Sequence, residues 1–302
     1  MKKKQNILIL KPDKGNGVVV LDRIAYDNEI LKIINDTSKF KEDPTLLREG
    51  RLQRFLRKLL KNGLLDRCVY DKNYPSGSQP AQIYGLPKMH KAREPNSIPP
   101  FRPIISSIGT YNYELLKYLC ILLEPHIPSE HCALDTFSFV REINELLLSG
   151  KFIVSFDVES LFTNIPLEEW VNLAVDYIFK GNPDLQLKKT ELRNLFNFAT
   201  AQTNFLFKGS FFDQTDGAAM GSLLAPVLAN LFIGHHEMIW LENYKVSGIL
   251  FYRRYVEDTF CRFDTEYDAT LFFDCINDRH PNIRFTMEKE MDKKKSHFGC
   301  SD

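Results

Sequence analysis

The chain has 302 residues, 44% hydrophobic and 26% charged, ordinary globular values that exclude a collagenous, disordered or coiled-coil protein. At this length one large domain or two fused ones are expected, with a core big enough to fold without disulfides or a structural metal. Net charge is zero but unevenly laid out: residues 1–120 carry 22 Lys+Arg against 12 Asp+Glu and the remainder 17 against 27, so a half able to follow phosphates joins a half able to gather cations.

Six cysteines (Cys68, Cys120, Cys132, Cys261, Cys275, Cys300) occur without a C-x-x-C pair, which argues against a zinc cluster or a secreted disulfide framework. Lys2 to Lys4 followed by Ile7 to Leu10 imitates the start of a signal peptide, but the apolar run is shorter than the roughly 7 to 15 residues such a segment needs. The longest weakly polar run, 223–234, is twelve residues, against roughly 20 for a bilayer span. A soluble, intracellular chain is expected, with no nuclear or cytoplasmic address: Lys2 to Lys4 and Lys293 to Lys295 are too short to count.

In chain order, residues 7–10 and 18–21 around Lys14-Gly15-Asn16-Gly17 predict a hairpin with Lys14 near its tip, since Asn-Gly supplies positive φ at little cost. Over 45–65, Leu52, Phe55, Leu56, Leu59 and Leu60 share one helical face and Arg51, Arg54, Arg57, Lys58 and Lys61 cover the rest, a helix opened by Asp43-Pro44 and closed by Asn62-Gly63. The Pro, Gly and Ser of 71–103 predict loop with short extended pieces. Helices follow at 113–123 and at 137–148, the second ending at Ser149-Gly150.

The second half opens on a buried strand, 152–158, closed by an acid. A helix over 167–179 has Pro166 at its first position. Aromatic strands follow near 204–212, then a Gly-punctuated turn at 216–221 and a long apolar helix at 222–243. Strands at 249–255 and 259–263 flank a turn holding Val256-Glu257-Asp258, and the tail reads as a helix near 267–278 and a strand near 283–287.

The chemistry gathers in Asp157 at a strand end and Glu257-Asp258 at a hairpin turn. Carboxylates from adjacent strands suit Mg²⁺ (Mn²⁺ is possible), because a hard cation takes oxygen ligands and crowded negative charges relieve one another through it. Two such ions can activate a hydroxyl and hold a leaving pyrophosphate.

Six segments then stand in one order: ILKPDKGNGVVVLD (9–22), IYGLPKMHK (83–91), FRPIIS (101–106), SFDVESLFTNIP (155–166), DGAAMGSLLAPVLANLF (216–232) and YRRYVEDTF (252–260). In these the chain resembles the reverse transcriptases, and among them the Penelope-like retroelements. The resemblance covers almost the whole length. It implies an α/β (α+β) right-hand polymerase fold, with a fingers-like region in 1–150 and a ferredoxin-like palm in 151–302. The implied activity is RNA-directed DNA synthesis, with an RNA template, a DNA primer and dNTP as partners. Asp157, the Val158 carbonyl, Glu257 and Asp258 would hold two Mg²⁺ ions. Phe162 matches the steric gate that excludes a 2′-hydroxyl, and Gly221 and Ser222 match the turn under the nascent base pair. Arg102 would reach the triphosphate through its bidentate donors, and Lys14 and Lys88 are weaker phosphate or template contacts.

Three departures bear on activity. Glu257 stands where the family has the first aspartate of Tyr-Val-Asp-Asp. Leu223 replaces the usual proline after Gly-Ser. The chain stops at 296–300, about where the primer-gripping segment should begin, so neither a thumb nor a GIY-YIG endonuclease is expected. A strongly impaired polymerase is one reading, and a catalytically inactive remnant or domesticated nucleic-acid-binding protein is the other.

Overall fold

The computed structural model describes residues 6–34, 38–40, 42–92, 97–133, 135–146, 151–159, 161–164, 166–201, 204–213, 221–244, 248–256 and 258–289. The turn expected at 216–220, the helix end at 149–150, Glu257 and the terminal stretch 296–300 lie outside them, as do the side chains at 162 and 163.

In order the elements are β1 (Ile7–Leu10), β2 (Val19–Asp22), α1 (Arg23–Ile33), β3 (Ser38–Phe40), α2 (Thr45–Lys61), α3 (Arg67–Asn73), β4 (Ala81–Pro87), β5 (Phe101–Ser106), α4 (Tyr113–Leu123) and α5 (Thr136–Glu145). There follow β6 (Phe152–Val158), α6 (Leu161–Asn164), α7 (Leu167–Gly181), α8 (Lys189–Thr200), β7 (Asn204–Phe207), β8 (Ser210–Asp213), α9 (Leu224–Asn243), β9 (Ile249–Tyr255), β10 (Asp258–Phe263), α10 (Glu266–Asn277) and β11 (Phe285–Lys289). They belong to two compact units that interleave along the chain, Met1–Leu119 with Gln186–Leu223 and Cys120–Leu185 with Leu224–Cys300. The chain passes between the units after Leu119, Leu185 and Leu223.

The first unit holds the β1-β2 hairpin and a five-stranded sheet in the order β3-β8-β7-β4-β5. Its core packs α1, through Tyr26 and Ile30, and the capping Ile34 just beyond it onto Ile83, Phe101, Ile105, Phe205, Phe207 and Phe212 of the sheet. Gly85 lets this helix come close: a Cβ there would stand 2.6 Å from Ile30 Cδ1, and its N–H donates to the Tyr26 hydroxyl at 2.7 Å. The stretch read from sequence as loop with short extended pieces carries β4, seven residues long, and the start of β5. Pro103 misled that reading; β5 is an edge strand, where a missing donor is tolerated.

α2 buries Leu52, Leu56 and Leu59 and leaves its basic face exposed, as the pattern predicts. Asp43 caps it by accepting from the Thr45 N–H at 2.9 Å. Gly63, at φ +67°, ends it while Leu64 N bonds back to Leu59 O, the usual left-handed exit from a helix. Arg48 on this helix is buried and pairs with Asp213 at 2.7 Å and with Asn204.

The second unit contains the sheet β11-β6-β10-β9, antiparallel throughout. Numbered within the unit, strands β6, β9, β10 and β11 lie in the order 4-1-3-2 with helices after the first and third, which is the ferredoxin-like βαββαβ arrangement. Along β6, Val154, Phe156 and Val158 are buried and Asp157 is exposed, the period-2 alternation of a strand with one covered face. Phe156 meets Phe272 and Phe273 of α10. α9 buries residues on most of its circumference, including Glu237. Pro166 stands at the N-cap of α7, with φ −60° and an extended ψ of 130°, rather than filling the first helical position. α5 ends at Glu145 and is opened by a reciprocal cap between Asp135 and Ser138. Among the described residues no helix is long and apolar enough to cross a membrane.

Candidate active site

Pairing register decides which side chains of the four-stranded sheet meet. Asp157 stands directly opposite Asp258, Asp258 opposite Tyr255, and Thr286 opposite Asp157. Residues so paired share a face, so Thr286, Asp157, Asp258 and Tyr255 form a row across the sheet, and both aspartates are exposed. Directly opposed positions have Cβ atoms about 4.5–5.5 Å apart, and like charges there repel. Two carboxylates in that position form an all-oxygen donor set for a hard divalent cation, so the residues present fit the ion expected from sequence. One step down the same face the sheet is covered: Phe139 of α5 packs edge-on against Phe260 at 5.7 Å, and Glu142 pairs with Arg253 at 2.7 Å.

The opposite face explains how the turn between β9 and β10 is held. Arg254, its side chain fully buried, pairs with Glu237 of α9 at 2.8 Å. It also donates to Asn230 Oδ1 at 3.0 Å, to Cys132 Sγ at 3.0 Å and to the Val256 carbonyl at 2.7 Å. Glu237 accepts a further bond from the Tyr252 hydroxyl at 2.7 Å; burial first, and then Glu237, push that hydroxyl well above its ordinary pKa and keep it a donor. The 131–133 segment joins in, with Arg254 N bonded to His131 O and Ala133 N to Arg254 O, each at 2.8 Å.

Val256 sits at φ +56°, a genuine outlier for a β-branched residue. Such strain costs on the order of 1–3 kcal/mol and persists only where the surroundings over-determine it. Here the guanidinium beneath the turn grips the Val256 carbonyl. The sequence did not single out this network. An Arg beside the acids and a lone Glu in an apolar helix were the available signals.

The remaining expected site residues belong to the first unit or are placed only by backbone. Residue 162 lies in α6. Val158 is buried and opposite Phe285 in the sheet. In the first unit, Asp13 N bonds to Pro87 O at 3.0 Å and Lys88 N to Pro100 O at 2.8 Å, so the motifs around Lys14, Lys88 and Arg102 meet. Arg102 Nε lies 2.8 Å from Asp13 Oδ1, an ion pair too poorly aligned to be a hydrogen bond, which leaves Arg102 Nε and Asp13 Oδ2 buried without hydrogen-bond partners among the described residues. The Lys88 ammonium is pushed below the usual lysine pKa by burial first and then by Arg102 and Lys91, with Asp13 opposing. The result is a compact basic patch, to which Asp13 and Lys91 are additions that sequence reasoning missed. Lys14 is exposed beside it in the chain.

Gly221 has φ +101°, and a Cβ there would lie 2.7 Å from Ile105 O and 2.9 Å from Ile104 Cγ2, so the turn rests against β5. Gly221→Ala is expected to destabilise the chain by about 1–3 kcal/mol, measured by urea denaturation. An unchanged midpoint would mean that the turn can retreat from β5. Ser222 follows, half-buried.

No protein-family model and no curated protein sequence matches the chain. Among solved structures, apo telomerase from Candida tropicalis truncated from its C-terminal domain is similar with a TM-score of 0.60 and 11% identity, over 95% of this chain and 60% of that one. Telomerase from Candida albicans in complex with a TWJ fragment of telomeric RNA gives 0.58 and 11%, over 95% and 50%. The fold is that of a right-hand polymerase. At this identity the likeness is one of fold, and the chain spans no more than three fifths of either telomerase's length.

Proposed function

We propose that the chain is a reverse transcriptase of Penelope-like retroelement kinship, adding deoxynucleotides to a DNA primer on an RNA template. The observation that carries this is the register that sets Asp157 opposite Asp258 on the exposed face of a ferredoxin-like sheet. On this reading the second unit is the palm and the first supplies the fingers. Asp157 and Asp258, with Glu257 and the Val158 carbonyl, would hold two Mg²⁺ ions. When bound, these supply charge neutralisation at the attacking hydroxyl and the leaving pyrophosphate. The protein's own contribution is positioning, since phosphoryl-type transfer leaves it little covalent work. Arg102 and Lys88 orient the triphosphate, Phe162 excludes a 2′-hydroxyl, and Gly221 and Ser222 support the nascent pair.

Primer extension on poly(rA)·oligo(dT) tests this directly. Mg²⁺-dependent incorporation of dTMP supports the reading, and its loss in Asp258→Asn ties the activity to the site. Arg102→Ala is expected to raise the KM for dTTP on the order of 10- to 100-fold, the worth of a charge-assisted hydrogen bond, with a smaller effect on kcat. A fall in kcat alone would remove Arg102 from triphosphate binding.

Glu257 favours a second reading, a protein that binds primer-template without extending it. Inactivity of both the wild-type chain and Glu257→Asp, with salt-sensitive primer-template binding intact, would select that reading.

A further inference from the structure

Away from the paired aspartates, three side chains of the second unit converge that the polymerase reading does not use. They are Glu169 in the first turn of α7, His236 of α9, and His280 between α10 and β11. One ligand atom from each lies within 4.8 Å of the others. His280 Nε2 is 3.0 Å from Glu169 Oε1, and His236 Nε2 is 4.0 Å from the same oxygen.

Around a tetrahedral zinc ion with bonds of 2.0–2.1 Å the ligand atoms stand about 3.3 Å apart, so closing on an ion requires shifts of less than about 1 Å. The two imidazoles are largely buried, with side chains 17% and 9% exposed, whereas Glu169 is 40% exposed. The site therefore opens to water on the carboxylate side, where a fourth ligand can enter. His236 is stacked on Trp240 and also touches Phe232, and His280 sits edge-on to Phe232, so aromatic rings fix both imidazoles. Burial, then His235 and His280, push the His236 pKa down to about 4, leaving the ring in the neutral form that ligates. The adjacent His235 is turned away, bonded to the Tyr177 hydroxyl at 3.0 Å.

We infer that Glu169, His236 and His280 form a binding site for a borderline transition-metal cation of the Zn²⁺ type, separate from the oxygen-only Asp157–Asp258 pair. Two nitrogen donors and one carboxylate suit zinc and its neighbours, whereas magnesium takes oxygen. Such an ion would join α7, α9 and the approach to β11, the strand that pairs with β6 at Asp157. His280 Nδ1 accepts from the Asn282 N–H at 3.2 Å, so the ring hydrogen is on Nε2 and is donated to Glu169. Binding at Nε2 moves that hydrogen to Nδ1 and releases the Asn282 N–H.

The chain's two tryptophans report on the site, since Trp170 follows Glu169 and Trp240 stacks on His236. Co²⁺ titrated into the full chain in excess Mg²⁺ should quench their fluorescence with 1:1 saturation in the micromolar range and give a visible d–d band that Zn²⁺ abolishes. His236→Phe, which keeps a ring between Trp240 and Phe232, should weaken binding at least 100-fold, while Asp157→Asn/Asp258→Asn should leave it unchanged. Glu169→Gln serves as the second variant if His236→Phe does not fold. Nitrogen-15 spectra of the imidazoles should show His280 changing tautomer on Zn²⁺ addition. Binding that survives His236→Phe or Glu169→Gln in folded protein, or that is lost with the aspartates, would overturn the assignment. So would the absence of saturable micromolar binding.

Discussion

Glu257→Asp is expected to raise the rate of primer extension on the order of 10²-fold. The extra methylene of glutamate displaces a carboxylate by about 1.5 Å, one C–C bond, where catalytic groups must be held to within about 0.5 Å. A misplacement of about 1 Å costs on the order of 10²-fold, and magnesium's near-octahedral demand leaves little slack. The neighbouring acids cannot adjust to compensate. Asp157 and Asp258 are fixed opposite one another by strand register, and the Val256 carbonyl at the end of β9 is gripped by a buried guanidinium. Single-turnover dTMP incorporation with saturating Mg²⁺ measures the ratio, and Asp157→Asn added to the faster variant should return it to baseline. Equal, substantial rates for the wild-type and Glu257→Asp chains would show that the turn accommodates glutamate after all.

Arg254→Met is expected to cost about 3–5 kcal/mol of folding stability, the penalty for stranding one partner of a buried ion pair. Glu237, 2% exposed, would be left, among the described residues, with the Tyr252 hydroxyl to satisfy it. Removing both charges, as Arg254→Met/Glu237→Leu, should recover most of that loss, because apolar replacement of a whole buried pair is often near neutral. Urea denaturation separates the cases. A single substitution no worse than the double would mean that the pair contributes little. The double variant carries a further expectation: stable, but with Val256 no longer held at its left-handed φ, it should extend primers more slowly than its stability alone accounts for.

Much of this fold could be read from residue patterns. The strand at 152–158, the long helix at 222–243 and the hairpin strands at 249–255 and 259–263 follow from apolar periodicity, and their outcomes agree with β6, α9, β9 and β10 to within a residue or two. What periodicity could not supply was partnership. Proline at 103 and the Pro- and Gly-rich run before it concealed β4 and β5, because whether an edge can carry a proline depends on which strand lies beside it. The aspartate pair was legible as a pattern, but its geometry depends on register, a long-range property. Arg48, Arg254, Glu237 and the two imidazoles near Glu169 looked like ordinary surface or core positions. Only the fold brings each to its partner, 165 residues away in the case of Arg48 and Asp213.

The interleaving of the two units sets a timetable for biosynthesis. β4 and β5 are complete once residue 106 has left the ribosome, yet β7 and β8, which fill the interior of their sheet, end only at residue 213. At about 5–20 residues per second of translation, the nascent hairpin waits roughly 5–20 s with an open hydrogen-bonding edge. Such an edge is a template for wrong pairing, so slow codons between β5 and β7 should lower the soluble yield more than the same codons placed after β8.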